Sequence, residues 1–217
     1  MNFNLFDNPV VNGIGRIADF VVLNLLWVLC SIPIITIGAS TTALYTVMLK
    51  IVKNEEGYLV KGFFKAFREN FKQSTVIWLV FLALGIVLLV DFSALRLMSA
   101  NVAGIMQILL MLMGALLISG SVYAFGLQAR FVNTVKNTLK NAAILVFAKL
   151  PHTILIVIIS IGSVIATFYN EMTLIMGFTV WLFVGVAMVA WLNCYVLRSV
   201  FRKLEEFQGE QEEDQAE

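Results

Sequence analysis

Three side chains that could carry chemistry stand within long apolar stretches of the chain, one carboxylate and two amides. A carboxylate such as Asp91 costs about 2.5–3.5 kcal/mol or more within hydrocarbon unless it faces protein or water. Asp91 is therefore either an interfacial structural residue near Arg96 or a proton or cation site. Asn24 and Asn193 either bond between helices, worth about 0.6–2 kcal/mol each, or line a polar path.

A break in the first apolar run offers a second kind of site. Pro33 stands in the middle of this run and Gly38 follows it closely. Proline removes a helical hydrogen bond and pushes the preceding residue out of the helical region. Transporters use the backbone groups of such broken helices to bind substrates and ions, whereas the simpler interpretation is a hairpin turn. The candidate polar path therefore comprises Asn24, Pro33, Gly38, Asp91 and Asn193.

A stretch of alternating aromatic and basic residues predicts an amphipathic helix over residues 58–72. Its cations form one stripe, made of Lys61, Lys65, Arg68 and Lys72. Residues 132–147 repeat the pattern more weakly. Such helices lie at a membrane surface with their cations toward anionic headgroups. Each is either a connector whose lysines extend to the interface or a site for anionic lipid headgroups or a partner protein.

The residues needed for enzyme chemistry are scarce. The chain has one histidine, His152, and two widely separated cysteines, Cys30 and Cys194. No zinc-protease, serine-hydrolase, phosphate-loop or dinucleotide-binding motif is present. We therefore expect a non-enzymatic protein without catalytic residues, metal or cofactor, and no nucleic-acid binding.

The amino-acid composition indicates whether these residues are surrounded by water or by lipid. Of the 217 residues 60% are hydrophobic and 13% are charged, with a mean hydropathy of +0.89. A soluble domain has about 25% charged residues, so the composition predicts an integral membrane protein whose main partner is the lipid bilayer. Seven of the 14 acidic residues lie in the last 13 positions, so a basic body precedes an acidic tail.

The runs without charged residues predict an all-α, polytopic transmembrane bundle, since a span needs about 20 residues. We expect six helices, with five possible if residues 20–49 form one kinked span. Two cytoplasmic amphipathic surface helices complete a single membrane domain, residues 1–204, and residues 205–217 are expected to be a disordered cytoplasmic tail. The predicted spans cover residues 14–32, 38–53, 74–95, 102–127, 151–169 and 173–199.

Orientation follows from the distribution of cations. Residues 50–72 and 130–149 and the C-terminal exit are rich in lysine and arginine, whereas the opposite loops hold only Arg96 and Glu171. The positive-inside rule places the basic segments and the C-terminus in the cytoplasm. The N-terminus is also cytoplasmic if there are six spans.

The N-terminal third contains a series of short segments that together resemble a known family. In them the chain is similar to the YesL-like family, integral membrane proteins of Gram-positive bacteria with unassigned function. The segments are Asp19, Asn24, Leu25-Leu26-Trp27, Ser31-Ile32-Pro33, Thr36-Ile37-Gly38, Thr41-Thr42-Ala43-Leu44-Tyr45, Glu56-Gly57-Tyr58 and Phe64-Lys65-Ala66-Phe67-Arg68-Glu69-Asn70-Phe71-Lys72-Gln73.

The resemblance implies a location and a process. Such proteins belong to the bacterial cytoplasmic membrane, and their genes often lie beside those of carbohydrate ABC transporters. We therefore expect an accessory or component of a carbohydrate or solute uptake system, with ABC transporter components as partners. The alternatives are a small secondary transporter that uses the break at Pro33 and Gly38, and a membrane scaffold that binds anionic lipid or a partner protein.

Overall fold

The computed structural model describes residues 9–55 and 57–214, and every regular element within them is helical. The predicted all-α fold is confirmed. The eight α-helices are α1 (Pro9–Ser31), α2 (Ile37–Val52), α3 (Leu59–Ala94), α4 (Ala100–Arg130), α5 (Val135–Ala148), α6 (Leu150–Thr167), α7 (Glu171–Val180) and α8 (Val186–Asp214).

Five of the described helical stretches are long and apolar enough to cross a membrane. They are Ile34–Val52, Leu59–Leu97, Asn101–Arg130, Leu150–Thr167 and Glu171–Arg202. In Ile34–Val52, 56% of the most apolar 18-residue segment is buried inside the protein. In the other four stretches the corresponding share is 6–11%. The protein is therefore of the multi-pass membrane type, with α2 as its central helix.

The turn between α1 and α2 is formed as the proline predicts. Ser31 ends α1, Pro33 adopts an extended conformation with ψ of 118°, and a 3₁₀ turn over Ile34–Thr36 leads into α2. Gly38 then lies directly against α3, where a Cβ on residue 38 would collide with the backbone oxygen of Ser74 and with Trp78. This close approach lets α2 and α3 pack along the whole length of α2.

The predicted boundary between a surface helix at residues 58–72 and a span at residues 74–95 does not exist. Both belong to α3, a continuous helix of 36 residues that is about 54 Å long. Lys72-Gln73-Ser74 contains no helix-breaking residue. Part of the apolar side of the predicted surface helix packs within the protein, through Phe63 and Ala66, which are 0% and 5% exposed. Val60, Phe64 and Phe71 remain 37–45% exposed.

The second predicted surface helix, at residues 132–147, is α5 and packs along α4. Thr134 caps its N-terminus by accepting a hydrogen bond from the backbone N–H of Asn137. Four of its side chains are buried, Thr138, Ala142, Leu145 and Val146. Its apolar face is therefore covered mainly by protein.

The last predicted span, residues 173–199, is divided by a π-helical turn over Trp181–Gly185. α7 precedes this turn and α8 follows it. The backbone of α8 remains helical to Asp214, and so includes most of the tail that we expected to be disordered, because Glu and Gln are good helix formers. Residues 215–217 lie outside the described residues.

The α2–α3 contact gives a first prediction. Gly38→Ala should lower stability by about 1–3 kcal/mol, the usual cost of overpacking, because the backbone of Ser74 cannot move aside as a flexible side chain could. The measurement is thermal unfolding in detergent of variants that also carry Cys30→Ala, because Cys30 is a second, only partly buried thiol. A fluorogenic maleimide then reports unfolding by reacting with Cys194 when this buried thiol becomes exposed.

The matched control is Gly62→Ala on the facing helix. A Cβ there would meet only Val47, at 3.8 Å, and alanine favours the helix more than glycine does. We expect its midpoint to be equal to or higher than that of the native chain. Equal midpoints for Gly38→Ala and the native chain would show that the α2–α3 packing is looser than described.

Candidate functional site

Asn24 is a connector between α1 and the π-helical turn. Its amide nitrogen donates to the carbonyl oxygens of Trp181 and Leu182, at 3.0 and 2.7 Å, and its oxygen accepts from the N–H of Ala187 at 3.0 Å. A π turn shifts the helical hydrogen-bond ladder and leaves backbone groups to be satisfied by other partners. Asn24 supplies these partners in the 0% exposed interior.

Asn193 occupies a different environment. Its amide nitrogen lies 3.5 Å from the hydroxyl oxygen of Tyr45 and 3.3 Å from that of Ser160. Its own oxygen is buried and has no hydrogen-bond partner among the described residues. Asn193 therefore joins α2, α6 and α8 through one end of its amide.

The other three members of the candidate path lie apart from these amides. Pro33 is exposed in the turn. The space beside Gly38 is occupied by Ser74 and Trp78 of α3. Asp91 is exposed near the end of α3, and no ion pair joins it to Arg96 in the described part of the chain. The five residues do not line one shared cavity among those found around the described residues.

The cations of the other candidate site do lie together. Lys61, Lys65, Arg68 and Lys72 are all exposed on the first half of α3. Lys65 also lies 3.9 Å from Glu69, one helical turn further on, an exposed pair worth less than about 1 kcal/mol. The cationic stripe therefore remains available to an anionic partner.

An open cavity of about 830 Å³ lies beside this stripe, between α3, α4 and the connection to α5. The cations Arg68, Lys72 and Arg130 line it, with Glu69 as the one acidic residue in its lining. Two smaller cavities of about 260 and 330 Å³ lie nearby and add further lysines and arginines from α2, α3 and α8. We call this end of the bundle the basic end.

A network of amides forms one wall of the large cavity. The Gln128 nitrogen donates to the side-chain oxygens of Asn70 at 3.0 Å and Gln73 at 2.6 Å, and the Thr138 hydroxyl donates to the Gln128 oxygen at 3.4 Å. Gln128 is 4% exposed and ties α3, α4 and α5 together. Gln128 is not among the residues predicted from the sequence, although a lone amide at the end of an apolar run, two positions before Arg130, is a usable signal.

Metal binding finds no support in the described residues, where no three His, Cys, Asp or Glu side chains come together. His152 lies 3.4 Å from the hydroxyl of Ser199, and Cys30 and Cys194 are free thiols. The arrangement at the basic end can bind anions and hydrogen-bonding groups.

Residues 20–92, about a third of the chain, match the model of a family described as a protein of unknown function, DUF624. The resemblance to the YesL-like family falls in the same part of the chain and is consistent with this match. Neither the curated proteins nor the solved structures contain a match to the chain.

The bonds of Asn24 give a second prediction. Asn24→Leu should lower stability by about 2–5 kcal/mol, because two or three buried backbone groups of the π turn lose their partners at about 1–3 kcal/mol each. Gln107→Leu is the control, since Gln107 is exposed on α4 and leucine is tolerated on an apolar surface. The same thiol-reactivity melt measures both variants, and equal midpoints would mean that Asn24 is not needed by the π turn.

Proposed function

We propose that the chain is a non-enzymatic membrane protein that docks a partner at its basic end, as an accessory subunit of a solute uptake system. The observation that carries this proposal is the open cavity of about 830 Å³ lined by Arg68, Lys72 and Arg130. Its charge favours an acidic partner.

The shape of the site favours a protein segment over a lipid surface. A lipid headgroup layer is broad and nearly flat, whereas this cavity is concave and has the amides of Asn70, Gln73 and Gln128 among its lining residues. Arginine binds carboxylates with two parallel hydrogen bonds. An acidic helix or loop from a membrane complex therefore fits this surface.

The role in solute uptake is suggested by the family resemblance alone. The YesL-like resemblance makes a carbohydrate ABC transporter the first partner to test. The positive-inside rule favours a cytoplasmic location for the basic end and the C-terminus. Secondary transport has less support, because the hydrogen-bonding groups of Asn24 already bind the backbone and Gly38 leaves no space for a substrate.

Photo-crosslinking in native membranes tests the docking proposal. A benzoylphenylalanine residue in place of Val132, which is fully exposed at the cavity, should form an adduct with an uptake-system subunit. The same photo-crosslinker in place of Leu97, exposed in the connection between α3 and α4, should not form this adduct. Mass spectrometry of the purified adducts identifies the partner.

Charge reversal tests whether the cations are responsible. Arg68→Glu combined with Lys72→Glu should reduce the adduct about tenfold, which corresponds to about 1.4 kcal/mol. Lys136→Glu combined with Lys140→Glu changes the charge equally on the exposed side of α5 and should leave the adduct unchanged. Adducts with lipid only would reject a protein partner at this cavity, and a protein adduct that survives the first reversal would reject a role for Arg68 and Lys72 in binding it.

A further inference from the structure

The depth that the α1–α2 hairpin reaches in the protein is fixed by its contacts with α3. α2 and α3 are antiparallel, and three contacts fix their register. Val47 faces Gly62, and the hydroxyl oxygens of Thr42 and Ser74 are 2.8 Å apart. Just before α2, the carbonyl oxygen of Ile34 accepts a hydrogen bond from Trp78 Nε1 at 2.8 Å. The tip of the hairpin, which we define as residues 32–36, therefore lies level with Trp78.

α3 continues well past this level. Sixteen residues separate Trp78 from the end of α3 at Ala94, which corresponds to about 24 Å of helix. α4 runs alongside this extension, since Leu89 and Phe92 share an apolar cavity with Leu110 and Met111. The α3–α4 hairpin thus extends about 24 Å farther from the basic end than the α1–α2 hairpin does.

The other side of the bundle gives an independent measure. α1 packs against the π turn Trp181–Gly185 and against α8. Neither α1 nor α2 contacts α7, Glu171–Val180, in the described structure. These ten residues of α7 add about 15 Å of helix before the connection to α6. The α1–α2 hairpin is therefore shorter than both of its neighbours.

Apolar side chains are exposed at the ends of all three hairpins, but of the three ends only the tip, residues 32–36, has no charged residue in it or next to it. Ile32, Ile34 and Ile35 are 72%, 63% and 58% exposed. By contrast, the α3–α4 connection carries Arg96, and the α6–α7 connection is followed by Glu171. Exposed isoleucines around a turn suit a hydrocarbon environment, whereas a turn in water is usually polar.

Backbone carbonyl groups of the tip, those of Pro33 and Ile34, find hydrogen-bond partners within the protein. The hydroxyl of Thr36 donates to the carbonyl oxygens of Cys30 and Pro33, at 2.6 and 2.7 Å. Trp78 donates to the carbonyl oxygen of Ile34, and the N–H of Thr36 donates to Pro33 at 2.9 Å. A non-helical segment within hydrocarbon requires such internal partners, because no water is present to replace them.

From these observations we infer that α1 and α2 form a re-entrant hairpin. The hairpin enters the bilayer from the basic end, turns at residues 32–36 within the hydrocarbon and returns to the same side. The chain then crosses the membrane four times, through α3, α4, α6 and the combined α7–α8 segment. The apolar composition of α2 serves the protein core, in agreement with its high burial.

Single-cysteine labelling tests this topology in the full-length chain. In a background with Cys30→Ala and Cys194→Ala, we compare Ile34→Cys with Leu97→Cys, Tyr169→Cys and Lys61→Cys, all at exposed positions. A membrane-impermeant maleimide is applied to intact cells and to inside-out vesicles. Leu97→Cys and Tyr169→Cys should label from one side and Lys61→Cys from the other.

The decisive variant is Ile34→Cys, which should label from neither side and should react fully once the membranes are dissolved in SDS. Labelling from the same side as Leu97→Cys would show that α1 and α2 cross the bilayer. Labelling from the same side as Lys61→Cys would place the tip in water. Either result overturns the proposal, and Ile32→Cys provides the same test if Ile34→Cys does not reach the membrane.

A nitroxide attached at the same positions measures depth directly. In reconstituted bilayers, the label on Ile34→Cys should be more accessible to oxygen than to a water-soluble nickel complex, because oxygen concentrates in hydrocarbon. The label on Leu97→Cys should show the opposite preference. Equal preferences at the two positions would contradict a tip buried in the bilayer.

Discussion

The requirement that backbone polar groups find partners inside an apolar medium governs this structure. Long helices meet it internally, and at two irregular points of the described apolar region side chains supply partners for backbone groups. At the turn after Pro33 the partners are Thr36 and Trp78. At the π turn the partner is Asn24, which binds two carbonyl groups and one N–H group.

This requirement changes the interpretation of polar residues at depth. An amide in an apolar helix attracts attention because its burial is costly without a partner. At Asn24 the cost is offset by three backbone bonds, and at Gln128 by contacts to Asn70, Gln73 and Thr138. Such residues join helices. The cationic stripe of α3, Lys61, Lys65, Arg68 and Lys72, lies instead on exposed surface and can bind an anionic partner.

Periodicity and charge predicted the helices well but could not predict what covers them. The pattern at residues 58–72 has the same spacing whether its apolar side faces lipid or another helix. Only the fold shows that Phe63 packs within the protein and that no break separates it from Ser74. The partners of Asn24 are about 160 positions away along the chain, so no local pattern could reveal them.

The same ambiguity affects the number of membrane crossings. An apolar helix can owe its composition to contact with lipid or to burial in protein, and hydropathy treats the two alike. α2 is largely buried, while the other four candidate spans are largely exposed. The exposed fraction of each helix therefore separates α2, a central core helix, from the helices whose apolar surface is exposed. The contact between Trp78 and Ile34 shows where the α1–α2 hairpin ends. Depth in this chain is therefore determined by packing between neighbouring helices as well as by composition.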